Sequence, residues 1–145
     1  MIDIYAASGT FPFPRKLAQD AANLVRTVER VSDIPMFRKN TAAFVHALPA
    51  DAIGNADGDG DYVRVQVLTN AGALDRDKQI ALVQGLTRLV ADAANNPGLM
   101  EKTWVLLTEA APGGWGLWSH AHTNEELVSA ARTEIIRLSG ERGKS

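Results

Sequence analysis

Residues 63–69 read Val63-Arg64-Val65-Gln66-Val67-Leu68-Thr69, with a valine at every second position until the run ends. Period-2 alternation puts the valines on one face of an extended chain and Arg64 and Gln66 on the other, so the segment predicts a half-buried strand. Sixty-one residues earlier the same alternation opens the chain as Ile2-Asp3-Ile4-Tyr5-Ala6, with Ile2 on Val63, Ile4 on Val65 and Ala6 on Val67. Two copies of one strand pattern at a fixed spacing mark an internal repeat.

The flanks of the two strands agree. The first strand stops at Ser8-Gly9; Pro14 then suits a first helical turn, and Leu17, Ala21, Leu24 and Val28 fall on one helical face, predicting a helix to about Ser32. Thr41–Leu48 reads as a second strand around Phe44 and Val45, closed by Pro49 and a Gly/Asp/Asn-rich linker that reaches Asp61. After the valine strand, Asp75 is placed to cap a helix carrying Ile80, Val83, Leu86 and Val90, and Asn95-Asn96-Pro97-Gly98 stops it. Trp104–Thr108 predicts a fourth strand. A turn one residue longer moves the overlay to 62, with Ala21 on Val83, Leu24 on Leu86, Val28 on Val90 and Thr41 on Thr103. Beyond Pro112-Gly113-Gly114, Thr123-x-x-Glu126 reads as a capping box for a last helix with Val128, Ala131, Ile135 and Leu138 on one side.

The pattern predicts an α/β (α+β) fold over one domain, 1–145: two tandem β-α-β repeats, about 1–60 and 61–120, and a C-terminal helix at about 123–139. Crossovers between parallel strands are right-handed, so both repeat helices cover one face of a four-stranded sheet. The other face needs cover, and in a chain of 145 residues sister subunits supply it, which predicts a symmetric homo-oligomer.

Composition narrows the partners. With 46% apolar residues, 22% charged residues and a net charge of −2, the chain is that of a folded protein with no electrostatic case for nucleic acid or an anionic membrane. The absence of cysteine excludes disulfides, thiolate catalysis and cysteine-ligated metals, and fits a reducing, cytoplasmic setting. Met1-Ile2-Asp3-Ile4 has no basic region followed by an apolar core, and no stretch reaches the roughly 18 apolar residues that span a bilayer. A small-molecule ligand is the expected partner.

Arg64 and Gln66 share the uncovered face with Asp3 and Tyr5, where they form either an inter-subunit polar network or, through the Arg64 guanidinium, a carboxylate-binding fork. Arg38, before the second strand, is a further candidate for that fork. His46, His120 and His122 have no acidic ligand at a fixed spacing, so no metal site is expected. Asn55-x-Asp57-x-Asp59-Gly60 resembles the start of a calcium loop, but Gln66 stands where a bidentate glutamate belongs, which predicts an acidic turn. Trp104, Trp115 and Trp118 suit a pocket or a packing contact. No phosphate-binding glycine loop, nucleophile elbow or His-Glu-x-x-His pair occurs.

Duplicated halves of this kind, with Ile2-Asp3-Ile4-Tyr5 followed by Ser8-Gly9 and with Thr108-Glu109-Ala110-Ala111-Pro112-Gly113-Gly114-Trp115-Gly116, resemble the fused members of the tautomerase superfamily, such as cis-3-chloroacrylic acid dehalogenase and malonate semialdehyde decarboxylase. Each half is similar to a short 4-oxalocrotonate tautomerase, and the resemblance covers roughly residues 1–120. It implies a homotrimer with pockets near the chain start, cofactor-independent tautomerase or isomerase chemistry on a small oxo acid or enol, and an aromatic at Trp115 lining the site. It also implies an N-terminal proline whose amine moves the proton. In this sequence that position falls one residue before Met1, and a methionine followed by bulky Ile2 is expected to be retained. The implied substrate arginines fall on Thr10 and Ala73 at the helix entries and on Ala42 and Trp104 in the strands.

Three readings stay open. The gene start is displaced and the working protein carries the proline; the α-amine of Met1 serves as the base; or the trimer binds a ligand, or nothing, without turnover. An active site on these terms comprises Met1 as base, with Ile2, Arg38, Arg64, Trp104 and Trp115 around the substrate, no metal and no cofactor.

Overall fold

The computed structural model describes residues 1–144. The two alternating segments form the centre of a four-stranded sheet: β1 (Ile2–Ala7) runs antiparallel to β3 (Val63–Thr69), with Ile4 opposite Val65. β2 (Ala43–Leu48) lies parallel to β1, and β4 (Thr103–Glu109) lies parallel to β3, giving the order β2-β1-β3-β4. Each parallel pair needs a crossover, supplied by α1 (Pro14–Glu29) and α3 (Arg76–Ala93). Leu17, Ala21 and Val25 of α1 and Leu82, Leu86 and Val90 of α3 bury the isoleucine and valine face of the sheet, which is where the core sits. The α+β fold with two β-α-β units is therefore the one the repeat implied.

Ile4 and Val65 are equivalent in the overlay and are also partners across the sheet, so a pseudo-twofold axis passes through this pair. Away from it the expected offset of 62 does not hold. Buried Ala21 and Val25 match Leu82 and Leu86, an offset of 61. The outer strands match at 60: Ile2 N–H donates to the Ala42 carbonyl (3.0 Å) and Val63 N–H to the Lys102 carbonyl (2.9 Å). Lys102, not Trp104, is thus the counterpart of Ala42. The second repeat shortens where a 3-10 turn at Pro97–Glu101 replaces α2 (Pro35–Asn40), a helix the periodicity did not announce.

Helix phases also moved. α1 ends at Glu29, with Arg30 left-handed at its C-cap, rather than near Ser32. On α3 the buried stripe begins at Leu82, and Ile80 is exposed. On α4 (Asn124–Arg142) Leu127 and Ala131 are buried while Val128 and Ile135 are exposed. One position turns a side chain by about 100° around a helix, enough to exchange core for solvent. Both expected N-caps form: the Asp75 carboxylate accepts from Lys78 N–H (2.9 Å), and the Thr123 hydroxyl accepts from Glu126 N–H (3.2 Å).

Two short strands absent from the sequence reading, β5 (Trp115–Leu117) and β6 (His120–His122), make a hairpin that turns at Trp118 and Ser119 with φ of 52° and 61°. The hairpin, α2 and α4 build a second apolar cluster from Ile34, Met36, Leu127 and Ala131, with Trp115 and Leu117 packed against it. The sheet face opposite α1 and α3 is bare within the chain. Phe44, Trp104 and Leu106 keep 54%, 43% and 46% of their surface exposed there, beside a His46–Asp3 contact of 2.7 Å. Among the described residues no helix is long and apolar enough to cross a membrane.

Candidate active site at the start of the first strand

Met1 extends the central ladder by one residue. Its α-amine donates to the Leu68 carbonyl (2.9 Å), and Leu68 N–H donates back to the Met1 carbonyl (2.8 Å). This pins the chain start in the sheet register, at the mouth of a cavity of about 70 Å³. Its walls include Glu29 at the end of α1, Phe37 on α2, Asn70 just past β3, Trp115 on β5 and Leu127 on α4.

The electrostatics of that cavity favour proton transfer. Met1 as a residue keeps 36% of its surface open, yet enough protein surrounds the amine that desolvation lowers its pKa from the usual 8.0; Glu29 and Asp3 oppose this. A free amine of pKa 8.0 is about one-tenth neutral at pH 7, and the lowered value enlarges that fraction. Burial pushes the Glu29 carboxyl up from 4.5, against the opposing charges of the Met1 amine and Lys78. Lys78 reaches the Glu29 carbonyl at 3.4 Å. The cavity thus holds a base made more available at neutral pH and a carboxyl made a weaker acid, and a proton-transfer site works best when such values approach the working pH. The buried Asn70 Oδ1 has no hydrogen-bond partner among the described residues, which leaves an acceptor for a ligand donor.

The structure brings two of the expected site residues together, Met1 and Trp115, on one cavity. Ile2 is fully buried beneath the sheet, in the core. Arg38 pairs with Asp33 (2.8 Å) and lies outside the cavity. Arg64 bonds Gln66 (2.7 Å) and stands over the Tyr5 ring on the bare face, where Trp104 stacks on Tyr62. No arginine or lysine lines the cavity among the described residues. The Asn55 segment is the expected acidic turn: the Asn55 side chain accepts from the backbone N–H of Asp57 and Asp59.

Glu29, Phe37 and Asn70 were not anticipated. Glu29 was visible in principle, since Leu17, Ala21 and Val25 continue in steps of four onto it, which aims a carboxylate along a buried stripe.

No family model and no curated protein matches the sequence. Solved structures do. A symmetric trimer of wild-type fused 4-OT is 17% identical, with a TM-score of 0.67 over 82% of this chain and 92% of its own. A member of the cis-3-chloroacrylic acid dehalogenase family is 19% identical, with a TM-score of 0.64 over 86% of each chain. A malonate semialdehyde decarboxylase inhibited by 3-bromopropiolate is 19% identical, with a TM-score of 0.63 over 83% and 92%. The chain has the fold of the fused tautomerase superfamily members it resembled in sequence.

Proposed function

We propose that this chain, on its tautomerase fold, is a cofactor-independent tautomerase or isomerase that transfers a proton on a small oxo acid or enol. It works as a cytoplasmic homotrimer of single-domain subunits. The observation that carries the reading is the desolvated Met1 amine sharing one cavity with Glu29 and Trp115. The neutral amine takes the hydroxyl proton of an enol, and the resulting ammonium returns a proton to carbon, so enol becomes keto with no atom gained or lost. Glu29 beside it holds or relays the proton, and Trp115 packs the apolar part of the ligand. The trimer is supported by the apolar bare face and by the trimeric assembly of a fused 4-OT of the same fold. Arg38 and Arg64, remote from the cavity of their own chain, are candidates to bind a carboxylate from a neighbouring subunit.

The test is enol-to-keto conversion of an aryl pyruvate by protein whose intact mass retains Met1. A rate above buffer that is lost on selective acetylation of the α-amine supports the proposal; no rate above buffer ends it for this substrate class. The second reading, a catalytically silent ligand-binding or structural trimer, is favoured by the absence, among the described residues, of a lining arginine or lysine to hold a carboxylate.

A further inference from the structure

His120, His122 and Glu126 each bring one ligand atom within 4.8 Å of the others, although sequence spacing promised no acidic partner for these histidines. The two imidazoles stand at alternate positions of β6, and the carboxylate is on the first turn of α4, four residues after His122. The fold closes this distance by running the hairpin directly into the helix through the Thr123 cap. Glu126 then does only half of what a capping box requires: its N–H reaches Thr123, but its carboxylate turns to His120 Nε2 (2.5 Å).

His122 fixes its own tautomer. A carbonyl oxygen only accepts, so the 2.8 Å contact with the Leu117 carbonyl puts a hydrogen on Nε2, and in the neutral ring that leaves Nδ1 a lone-pair donor. The side chain is 11% exposed, and Nδ1 is buried without a hydrogen-bond partner among the described residues, 3.6 Å from Glu126 Oε2. A buried lone pair facing a carboxylate is unfavourable unless a cation lies between them, and a proton makes no good bond across 3.6 Å. An ion does. Tetrahedral bonds of about 2.0–2.1 Å place ligand atoms roughly 3.3 Å apart, near the His122–Glu126 separation of 3.6 Å, and the three ligand atoms together span no more than 4.8 Å. His120, whose side chain is more than half exposed, has room to move back by somewhat under 1 Å to the same spacing. The opposite nitrogen of His122 held on a backbone carbonyl is the arrangement that orients metal-bound imidazoles.

We infer that His120, His122 and Glu126 form a divalent transition-metal site that clamps the β5–β6 hairpin to α4. Two imidazoles and one carboxylate suit Zn²⁺, Ni²⁺ or Cu²⁺ over Mg²⁺ or Ca²⁺, and three protein ligands leave one position to water. The clamp acts where the hairpin is strained, since Trp118 and Ser119 both hold left-handed backbone that favours glycine or asparagine. Trp115 is the direct cross-strand partner of His122, so the ion fixes the strand that walls the Met1 cavity.

The test titrates metal-free full-length chain with Zn²⁺ by calorimetry, with Mg²⁺ as control, and follows the melting temperature. The expected result is one Zn²⁺ per chain, a raised melting temperature, and affinity lower by at least about tenfold in His120→Ala and in Glu126→Gln. Glu126→Gln keeps the backbone cap intact should His120→Ala fold poorly, and His46→Ala is expected to bind as the parent does. Absence of Zn²⁺ binding, or binding equal to the parent's in both variants, overturns the site.

Discussion

The α-amine of Met1 and the carboxyl of Glu29 each offset the effect of burial on the other: the carboxylate raises the amine's proton affinity, and the ammonium lowers that of the carboxyl. Glu29→Gln removes one side of this balance. The amine pKa is then expected to fall further below 8.0, read from the pH dependence of α-amine labelling. An unchanged or raised value would show that the two groups do not interact.

The same pair sets a pH dependence of stability. Glu29, raised above 4.5, contributes stability that is complete below that pH and is lost as pH rises through its folded value. The amine, lowered below 8.0, binds fewer protons folded than unfolded, so its contribution grows as pH rises to 8.0. Asp33, held low by Arg38 and Arg26, pulls the acid side the opposite way. The difference between Glu29→Gln and parent reports the first contribution, and the further-lowered amine acts in the same direction: relative to the parent, the variant gains melting temperature on going from acid to neutral pH.

Asn70→Ala removes the unpartnered acceptor of the cavity. Loss of one hydrogen bond of about 0.5–1.5 kcal/mol is expected to raise KM for an enol substrate by roughly two- to twelvefold, with a smaller effect on kcat. Steady-state kinetics of the two proteins checks it, and an unaltered KM would remove Asn70 from ligand binding.

The exposed Trp104 and Leu106 are expected to be interior in the assembly. Light scattering should give three times 15.6 kDa for the parent and a smaller mass for Leu106→Lys, whose ammonium is buried in any trimer that uses this face. A parent monomer contradicts the assembly directly.

Leu86→Ala is expected to cost about 2–5 kcal/mol of stability and Ile136→Ala less than about 0.5, although both lie on long helices. Leu86 is buried against the sheet and Ile136 faces solvent. Denaturant unfolding separates them.

The strands were legible because a period of two leaves no room for phase error: Ile2, Ile4, Ala6 and the three valines are all buried. The existence of the three long helices was equally plain, their phase less so, because Leu17-Ala21-Leu24 and Leu17-Ala21-Val25 both make acceptable apolar stripes. The hairpin was hidden because its turn is Trp118-Ser119, with none of the residues that ordinarily mark left-handed backbone. For the site, resemblance pointed to Met1 and Trp115, whereas Phe37 and Asn70 belong to a short helix and a strand end, which carry no periodicity. Glu126 read as a cap because spacing reports neighbours along one helix and not the imidazoles of a strand.

The axis through Ile4 and Val65 makes the two repeats alike in shape but unlike at their tips. β1 follows Met1, whose amine lines the cavity, while its counterpart β3 follows Tyr62, whose nitrogen is a backbone amide. In the proposed trimer the Met1 cavity therefore belongs to only one of the two like-shaped tips of each chain, that of β1, and the tip of β3 presents a backbone amide in its place.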